Sequence, residues 1–381
     1  MRVLTVFGTR PEAIKMAPVV RELENHPDRI KSAVCVTAQH REMLDQVLDL
    51  FDIQPDIDLD LMQPDQILPE LTAQVVSAMT RILDRERPDR ILIQGDTTTV
   101  MATALAAFYL KIPVGHVEAG LRTQDRYNPF PEEINRRIVS TLASYHFAPT
   151  PAAGQTLLGE GVDPNTIFVT GNTVVDALYW ILKRPLSEQS KKLLQDLGLT
   201  DPDSVGAVEH PVRLILVTAH RRESFGHPFE SLCRGLRVVV ERNPDVLLVY
   251  PVHLNPRVRD PVQRILSGHQ RIRLIEPLPY EPFVRLMNAS YLVLTDSGGI
   301  QEEAPVLGKP VLVLRQETER SEAIAAGVAK LVGTDEERIV AETERLLHNE
   351  AAYQAMVKAE SLFGDGHAAR RIVKVLLKLV G

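Results

Sequence analysis

The sequence predicts an α/β protein built from two Rossmann-like, doubly wound domains that face a cleft. Three observations lead there. Short β-branched runs alternate with longer helical patterns along the chain, as in parallel sheets made of βαβ units. The alternation occurs twice, and the polar stretch "DPDSVGAVEHPV" reads as a surface loop at the start of its second round. The length, 381 residues, is also more than one hydrophobic core commonly organises.

In the first half, "RVLTVF", "KSAVCVT", "RILIQ", "PVGHV", "YHFAP" and "TIFVT" read as strands, with helices after nearly every one. "PEAIKMAPVVRELENH" is typical of those helices: Pro11 suits a first helical position, and apolar residues recur at three and four. The helical "VVDALYWILKRP" and a further helical piece lead into the second half. Its strands are "RLILVT", "VLLVY", "IRLIE", "YLVLT" and "PVLVL". "GDGHAA" loosely matches a dinucleotide fingerprint but follows no strand, so it reads as a turn into the last helix.

Composition narrows the function. A formal net charge of −7 leaves no cationic excess to neutralise a nucleic-acid strand. The two cysteines, Cys35 and Cys233, lie in apolar runs and read as core residues of a reduced, cytoplasmic protein. "MRVLTVFG" lacks the pattern of a signal peptide, and "VMATALAAFYL" is too short for a membrane span. Neither a P-loop nor a clustered Cys/His metal motif occurs in the sequence. The expectation is a soluble protein that uses no metal and binds neither nucleic acid nor membrane.

In doubly wound sheets, ligands sit beyond the carboxyl ends of the strands. The residues that follow each strand are therefore the informative ones. "FGTRPEAIK" offers Gly8 for a tight turn and puts Arg10 and Lys15 at a helix start, where anions are favoured, although two solvated cations would read the same. Asp96 in "QGDTTTV" is accounted for by a helix cap if taken alone. Glu118 in "GHVEAGLRT" has no such role to explain it, and Arg122 follows in a loop. Glu132 and Glu133 in "NPFPEEINRR" suit a helix dipole as well as a reaction. His220, Arg221 and Arg222 in "VTAHRRESFG" suit a pyrophosphate.

"TDSGGIQEEAP" supplies Ser297, Gly298 and Gly299 for a phosphate at a helix N-terminus, then Glu302 and Glu303 one turn further in. A nucleoside diphosphate carrying a second group wants both an anion cradle and a carboxylate. Its phosphates would take the glycine turn, and its ribose would take Glu303.

With "FGTRPEAIKMAP", "VTAQHREMLDQ", "GDTTT", "GHVEAGLRT", "PEEINR", "TAHRRE", "YPVHLNP" and "TDSGGIQEEAP" in this order, the chain resembles the bacterial non-hydrolysing UDP-N-acetylglucosamine 2-epimerases nearly end to end. The resemblance implies a glycosyltransferase-B-like fold and a homodimer. The N-terminal domain would span 1–172 and be completed by a final helix, 365–381; the UDP-binding domain would span 173–364. It implies interconversion of UDP-GlcNAc and UDP-ManNAc through elimination of UDP and a 2-acetamidoglucal, without a nicotinamide or other cofactor. The product would feed an envelope polysaccharide.

The implied catalytic residues are Asp96, Glu118, Glu132 and His220, the last against the pyrophosphate with Arg10. Lys15 would lie near the reacting sugar. Ser297, Gly298 and Gly299 would hold phosphate, Glu303 the ribose, and Arg320 the phosphates or uridine side. Gln39, Gln66, Glu132, Arg221 and His253 match an activating second UDP-GlcNAc site. Asp65 and Glu42 would weaken that site, because they place negative charge where some relatives carry Arg and Gln. Ser321 and Ser224 also depart from the pattern and would tune loop geometry. Rival readings are a glycosyltransferase of the same fold, a hydrolysing epimerase, and a non-catalytic nucleotide-sugar sensor.

Overall fold

A computed structural model describes residues 1–37, 41–61, 66–199, 212–357 and 362–379 of the chain. It divides into two compact units: Met1–Trp180 with Phe363–Gly381, and Ile181–Leu362. The division falls within one helix rather than at its first residue, where the sequence reading set it.

Unit 1 is a seven-stranded parallel sheet: β1 (Arg2–Phe7), β2 (Lys31–Val36), β3 (Ile57–Asp58), β4 (Arg90–Gln94), β5 (Val114–Val117), β6 (Tyr145–Ala148) and β7 (Ile167–Val169), in the order β3-β2-β1-β4-β5-β6-β7. Its helices are α1 (Arg10–Glu24), α2 (Arg41–Leu50), α3 (Leu68–Glu86), α4 (Thr98–Tyr109), α5 (Glu132–Leu142), α6 (Pro151–Gly159) and α7 (Thr173–Lys183), the last running into unit 2. Burial of both sheet faces is why the strands read as unbroken apolar runs. Ile91, Ile93, Val114 and Leu4 are buried with Leu71, Val75, Met79, Ile82 and Leu83 of α3. Those α3 positions recur every three or four residues, so one stripe of the helix faces the sheet.

Unit 2 begins with α8 (Glu188–Asp196) and carries a six-stranded parallel sheet: β8 (Arg213–Thr218), β9 (Val246–Pro251), β10 (Ile272–Ile275), β11 (Leu292–Thr295), β12 (Val311–Val313) and β13 (Ala329–Leu331), in the order β10-β9-β8-β11-β12-β13. Its remaining helices are α9 (His227–Arg242), α10 (Pro256–Leu266), α11 (Tyr280–Ala289), α12 (Gly298–Val306), α13 (Ser321–Ala325), α14 (Glu336–His348) and α15 (Glu350–Val357). Phe229, Leu232, Leu236 and Val239 of α9 pack with Val246, Leu248 and Tyr250 of β9 and with Ile339 of α14.

The last helix, α16 (Ala368–Lys378), belongs to unit 1. Ile372, Val373 and Leu376 are buried on one face, each contributing about 1.5–3 kcal/mol. Its first amides are capped from far away in sequence: Asp176 of α7 accepts from Ala368 N (3.1 Å) and Ala369 N (2.9 Å). Asn172 N donates to Phe363 O (2.7 Å) and closes the turn that the sequence marks as "GDGHAA".

Two parallel sheets with alternating helices make the glycosyltransferase-B-like fold that the sequence predicted. Each sheet reverses its winding once, between β1 and β4 in unit 1 and between β8 and β11 in unit 2. Loops diverge at such switch points and leave a crevice at the carboxyl ends of the strands. Gly8 and Asp96 flank the first switch point; His220 and Asp296 flank the second. Within the described residues, no helix is long and apolar enough to cross a membrane. Cys35 and Cys233 are both buried free thiols, pushed up to about 12 by burial.

Candidate active site

At the end of β1, a Cβ on Gly8 would collide with the Thr37 hydroxyl, so the turn into α1 admits only glycine at that point. The amides that follow are not left open. Glu12 reaches back one turn, and its carboxylate accepts from Gly8 N (2.6 Å) and Thr9 N (3.1 Å). Burial pushes the Glu12 carboxyl up; hydrogen bonds from Thr97, Gly8 and Thr9 pull it down, and the charge of Asp96 adds to the rise. Arg10 is the first residue of α1 and is half-buried.

Lys15 is not the solvated cation that the bland reading of this turn allowed. It is buried and forms an ion pair with Glu118. Glu118 follows β5 in the left-handed region, at φ 66°, a conformation that costs a non-glycine residue about 1–3 kcal/mol. Three donors meet its carboxylate: Lys15 Nζ, Gln94 Nε2 and, at 3.3 Å, Asn172 Nδ2. Its side chain is only 7% exposed. These donors come from α1, β4 and the β7–α7 turn, so three elements fix one carboxylate that no helix end requires.

Asp96 follows β4, the strand beside β5, where Gln94 pairs with Val117. The capping role belongs to its neighbour Thr97, whose hydroxyl accepts from Val100 N at 3.4 Å. Asp96 instead takes the guanidinium of Arg136 on α5, with Nε at 2.8 Å and Nη2 at 2.7 Å, and keeps 27% of its side chain exposed. Asn135 donates to the Asp96 carbonyl at 2.8 Å. The first turns of α5 are thereby docked on Asp96, and Glu132 opens that helix.

The adjacent acids part company here. Glu133 is fully buried and accepts from Thr123 N (3.0 Å), Arg136 Nη1 (3.4 Å) and Arg137 Nη2 (3.1 Å), which gives it a structural role. Glu132 is half-buried. Arg122 is also structural: its buried guanidinium forks onto Glu160 (2.9 and 2.7 Å) and reaches Ser140 Oγ (2.9 Å).

Sequence reasoning missed the imidazole beneath this group. His116 on β5 is buried, and its Nε2 lies 2.8 Å from Gly95 O in the turn that leads to Asp96. Burial pushes its pKa down to about 3. The ring is therefore neutral, and Nε2–H donates to that carbonyl. His146, paired with His116 across β5 and β6, is held at about 4 by burial and then by the charge of Arg122.

In unit 2, Ser297 precedes α12 with extended dihedrals and makes no side-chain cap, and the helix opens at Gly298. The first N–H groups of a helix have no partner within it. A Cβ on Gly298 would lie 2.9 Å from Glu319 Oε1 and 3.6 Å from Arg320 Cζ, so a carboxylate and a guanidinium lean over the turn. Arg320 Nε is 2.8 Å from Glu302 Oε1 and its Nη1 is 3.5 Å from Glu319 Oε1. Glu319 also receives Arg315 Nη1 (2.8 Å) and faces Arg221 Nη2 (3.9 Å). Burial pushes the Glu319 carboxyl up, but Arg320, a backbone hydrogen bond, Arg315 and Arg221 together hold it at about 2.

The two acids of α12 also separate, Glu302 to Arg320 and Glu303 to the Tyr280 hydroxyl at 3.5 Å. His220 follows β8. It stacks on His253 with ring centroids 5.4 Å apart and planes at 9°. Burial and then His220 lower the pKa of His253, while Asp296 opposes them. Ser224 is buried in the short 3-10 turn Arg222–Ser224, and Ser321 opens α13.

Of the residues matched to a second substrate site, Arg221 and His253 thus sit beside Glu319 and His220. Gln66 lies in unit 1, where its amide donates to Gln74 Oε1 at 2.6 Å. Gln39 and Asp65, the Glu42 side chain and most of the "DPDSVGAVEHPV" loop lie outside the described residues.

Comparison with known proteins decides what these strand ends belong to. The profile of a family described as UDP-N-acetylglucosamine 2-epimerase matches residues 21–377. A UDP-N-acetylglucosamine 2-epimerase of Escherichia coli K12 is 56% identical over 376 residues, which is 99% of this chain and 98% of the relative. The chain belongs to the UDP-N-acetylglucosamine 2-epimerase family.

Solved structures of the family agree in fold. The Neisseria meningitidis UDP-GlcNAc 2-epimerase, crystallised with UDP-GlcNAc, superposes with a TM-score of 0.89 at 49% identity, over 99% of this chain and all of that one. The Staphylococcus aureus MnaA–UDP structure gives 0.87 at 44% identity, over 100% and 96%. The activity of this epimerase is the 2-epimerisation of UDP-GlcNAc.

Proposed function

We propose that the chain epimerises UDP-GlcNAc to UDP-ManNAc reversibly and without net hydrolysis, by eliminating and re-adding UDP. The observation that carries this reading is the buried Glu118, strained into the left-handed region and met by Lys15, Gln94 and Asn172. A carboxylate held so firmly suits proton removal at one atom.

C2–H of the sugar has no carbonyl beside it. As the C1–O bond breaks, its electron pair leaves with the β-phosphate oxygen, and oxocarbenium character at C1 acidifies C2–H. A carboxylate takes the proton, and the C–H pair closes the C1=C2 bond of 2-acetamidoglucal. Re-addition reverses the electron flow, with the proton delivered to the other face of C2. Inversion therefore needs a second acid–base group. Asp96 and Glu132, tied to one another through α5, are the candidates beside Glu118.

Departing UDP needs positive charge and open amides. Ser297, Gly298 and Gly299 supply amides, Arg320, Arg10 and His220 supply cations or donors, and Glu303 takes the ribose diol. On this reading the enzyme is a cytoplasmic homodimer that needs no cofactor and supplies ManNAc units to an envelope polysaccharide. Full-length likeness to bacterial family members supports the non-hydrolysing form.

Phosphorus NMR of UDP-GlcNAc incubated with the enzyme tests the reading. Pyrophosphate diester signals shared between two sugar nucleotides at equilibrium are expected. Steady accumulation of free UDP and ManNAc would instead assign the hydrolysing reaction. The dependence of rate on UDP-GlcNAc tests the second-site role of Gln39, Gln66, Arg221 and His253. Sigmoid curvature would support that role, and a plain hyperbola removes it.

A further inference from the structure

We propose that Asp296 is the positioning residue of His220, setting its tautomer and stabilising its protonated form as UDP departs. This rests on the reading that His220 faces the departing diphosphate. The geometry begins in the sheet. Thr218 of β8 pairs with Thr295 of β11, and their hydroxyls lie 2.6 Å apart. Asp296 N donates to Thr218 O at 3.0 Å, which brings the next residue of each strand to the same edge.

There the Asp296 carboxylate turns onto the opposite loop. Its Oδ2 accepts from His220 N (2.6 Å) and Arg221 N (2.7 Å), and fixes the backbone that carries the imidazole. Its Oδ1 lies 3.5 Å from His220 Nδ1 and, among the described residues, accepts no hydrogen bond. Asp296 is only 1% exposed, whereas the His220 side chain is 42% exposed.

A buried carboxylate oxygen without a donor is costly. Nδ1–H is the group within reach, and such contacts commonly shorten when substrate binds. His253 covers one face of the ring, so edge and face are both fixed. The preceding residue is anchored as well: Tyr250 OH donates to Ala219 O at 2.5 Å.

With Nδ1–H turned to Asp296, the lone pair of neutral His220 is on Nε2. A proton gained there makes an imidazolium that the buried carboxylate stabilises. That proton then meets the departing phosphate oxygen as its charge grows, and stays with His220 when UDP re-adds. Beside Asp296, the charged or titratable groups around the ring are His253 from the end of β9 and the neighbouring Arg221, which itself faces Glu319.

Asp296→Asn tests the assignment. The amide oxygen can still accept from His220 N and Arg221 N, but its NH2 group opposes Nδ1–H and favours the other tautomer. Expected are a kcat lower by about 100-fold, a KM for UDP-GlcNAc within a few-fold of wild type, and a shift of the His220 limb of the pH–kcat profile to lower pH. The Asp296→Asn/His220→Asn double variant should be no slower than His220→Asn alone.

An unshifted pH profile, or losses that multiply in the double variant, would overturn the proposal. If His220→Asn is as active as wild type, the underlying role of His220 fails first. Nitrogen-15 NMR of wild-type histidines, assigned with His220→Asn, decides the matter even if Asp296→Asn does not fold. Protonated Nδ1 with bare Nε2 is expected in the neutral ring, and the reverse tautomer would refute the assignment.

Discussion

Glu118 at the end of β5 and the glycine turn at the end of β11 both follow strands on the far side of the switch point in two similar sheets, yet their electrostatics are opposite. In unit 1 the carboxylates are the centre, and Lys15, Gln94, Asn172 and Arg136 are spent holding them. In unit 2 the amides and guanidinium groups are the centre, and Glu302 and Glu319 hold the arginines in place. The difference teaches that charge type does not by itself mark function at a strand end. On this account unit 1 moves the proton at C2, whereas unit 2 binds the nucleotide and, through His220, eases its departure.

The largest effect should come from Glu118→Gln. It should lower kcat by between about 100- and 10,000-fold while UDP affinity, measured by calorimetry, stays near wild type. An equal loss of UDP affinity would erase the division between the units. Arg136→Ala should follow. It removes the guanidinium held by Asp96 and the longer of the two that reach Glu133, and thermal unfolding should show unit 1 destabilised by about 2 kcal/mol.

Gly298→Ala should do the reverse of Glu118→Gln. Its Cβ, 2.9 Å from Glu319 Oε1, should displace the carboxylate–arginine network and weaken UDP binding by roughly tenfold, about 1.4 kcal/mol, with kcat at saturation less affected. A variant with unchanged KM and reduced kcat would contradict the assignment.

The last effect is one of pH, and it acts on stability rather than on turnover or affinity. His116 and His146 are held near 3 and 4 in the folded chain, below the ordinary 6.5. A depressed folded pKa gives stability that is complete above 6.5 and is lost as pH falls toward the folded value. Each should cost about 2 kcal/mol by roughly pH 5. Among the described residues, unit 1 alone has fully buried histidines. Hydrogen exchange at falling pH should therefore loosen unit 1 before unit 2, and simultaneous loosening would count against the buried pair as the cause.

Much of this was legible in the residues because buried parallel strands read as apolar runs and ligand groups follow them. The edge strands Ile57–Asp58 and Ala329–Leu331 were not legible, since each is two or three residues long and carries a charged residue, Asp58 or Lys330, that interrupts any apolar run. The acids after each strand were visible; their partners were not. Lys15 meets a carboxylate 103 positions away, and Asp296 meets His220 across 76. Contacts of that separation are set by strand order, which spacing does not encode.

Glu133 is a different case. Its basic partners Arg136 and Arg137 stand three and four residues on, so helical spacing alone could have separated it from Glu132. The alternative of a solvated Lys15 fails because its buried partner, Glu118, follows a strand 103 positions further on. Asp96, read alone as a cap, is instead an ion-pair partner, because Thr97 does the capping.

The central claim is that unit 1 removes and returns the proton at C2. Its most direct test is incubation of UDP-GlcNAc with wild-type enzyme and with Glu118→Gln in D2O, followed by proton NMR of C2–H and the anomeric proton. The account predicts deuterium at C2 of UDP-ManNAc formed by the wild type, and next to none in either sugar nucleotide with the variant. UDP-ManNAc that keeps its original C2 proton, or undiminished exchange by Glu118→Gln, would contradict it.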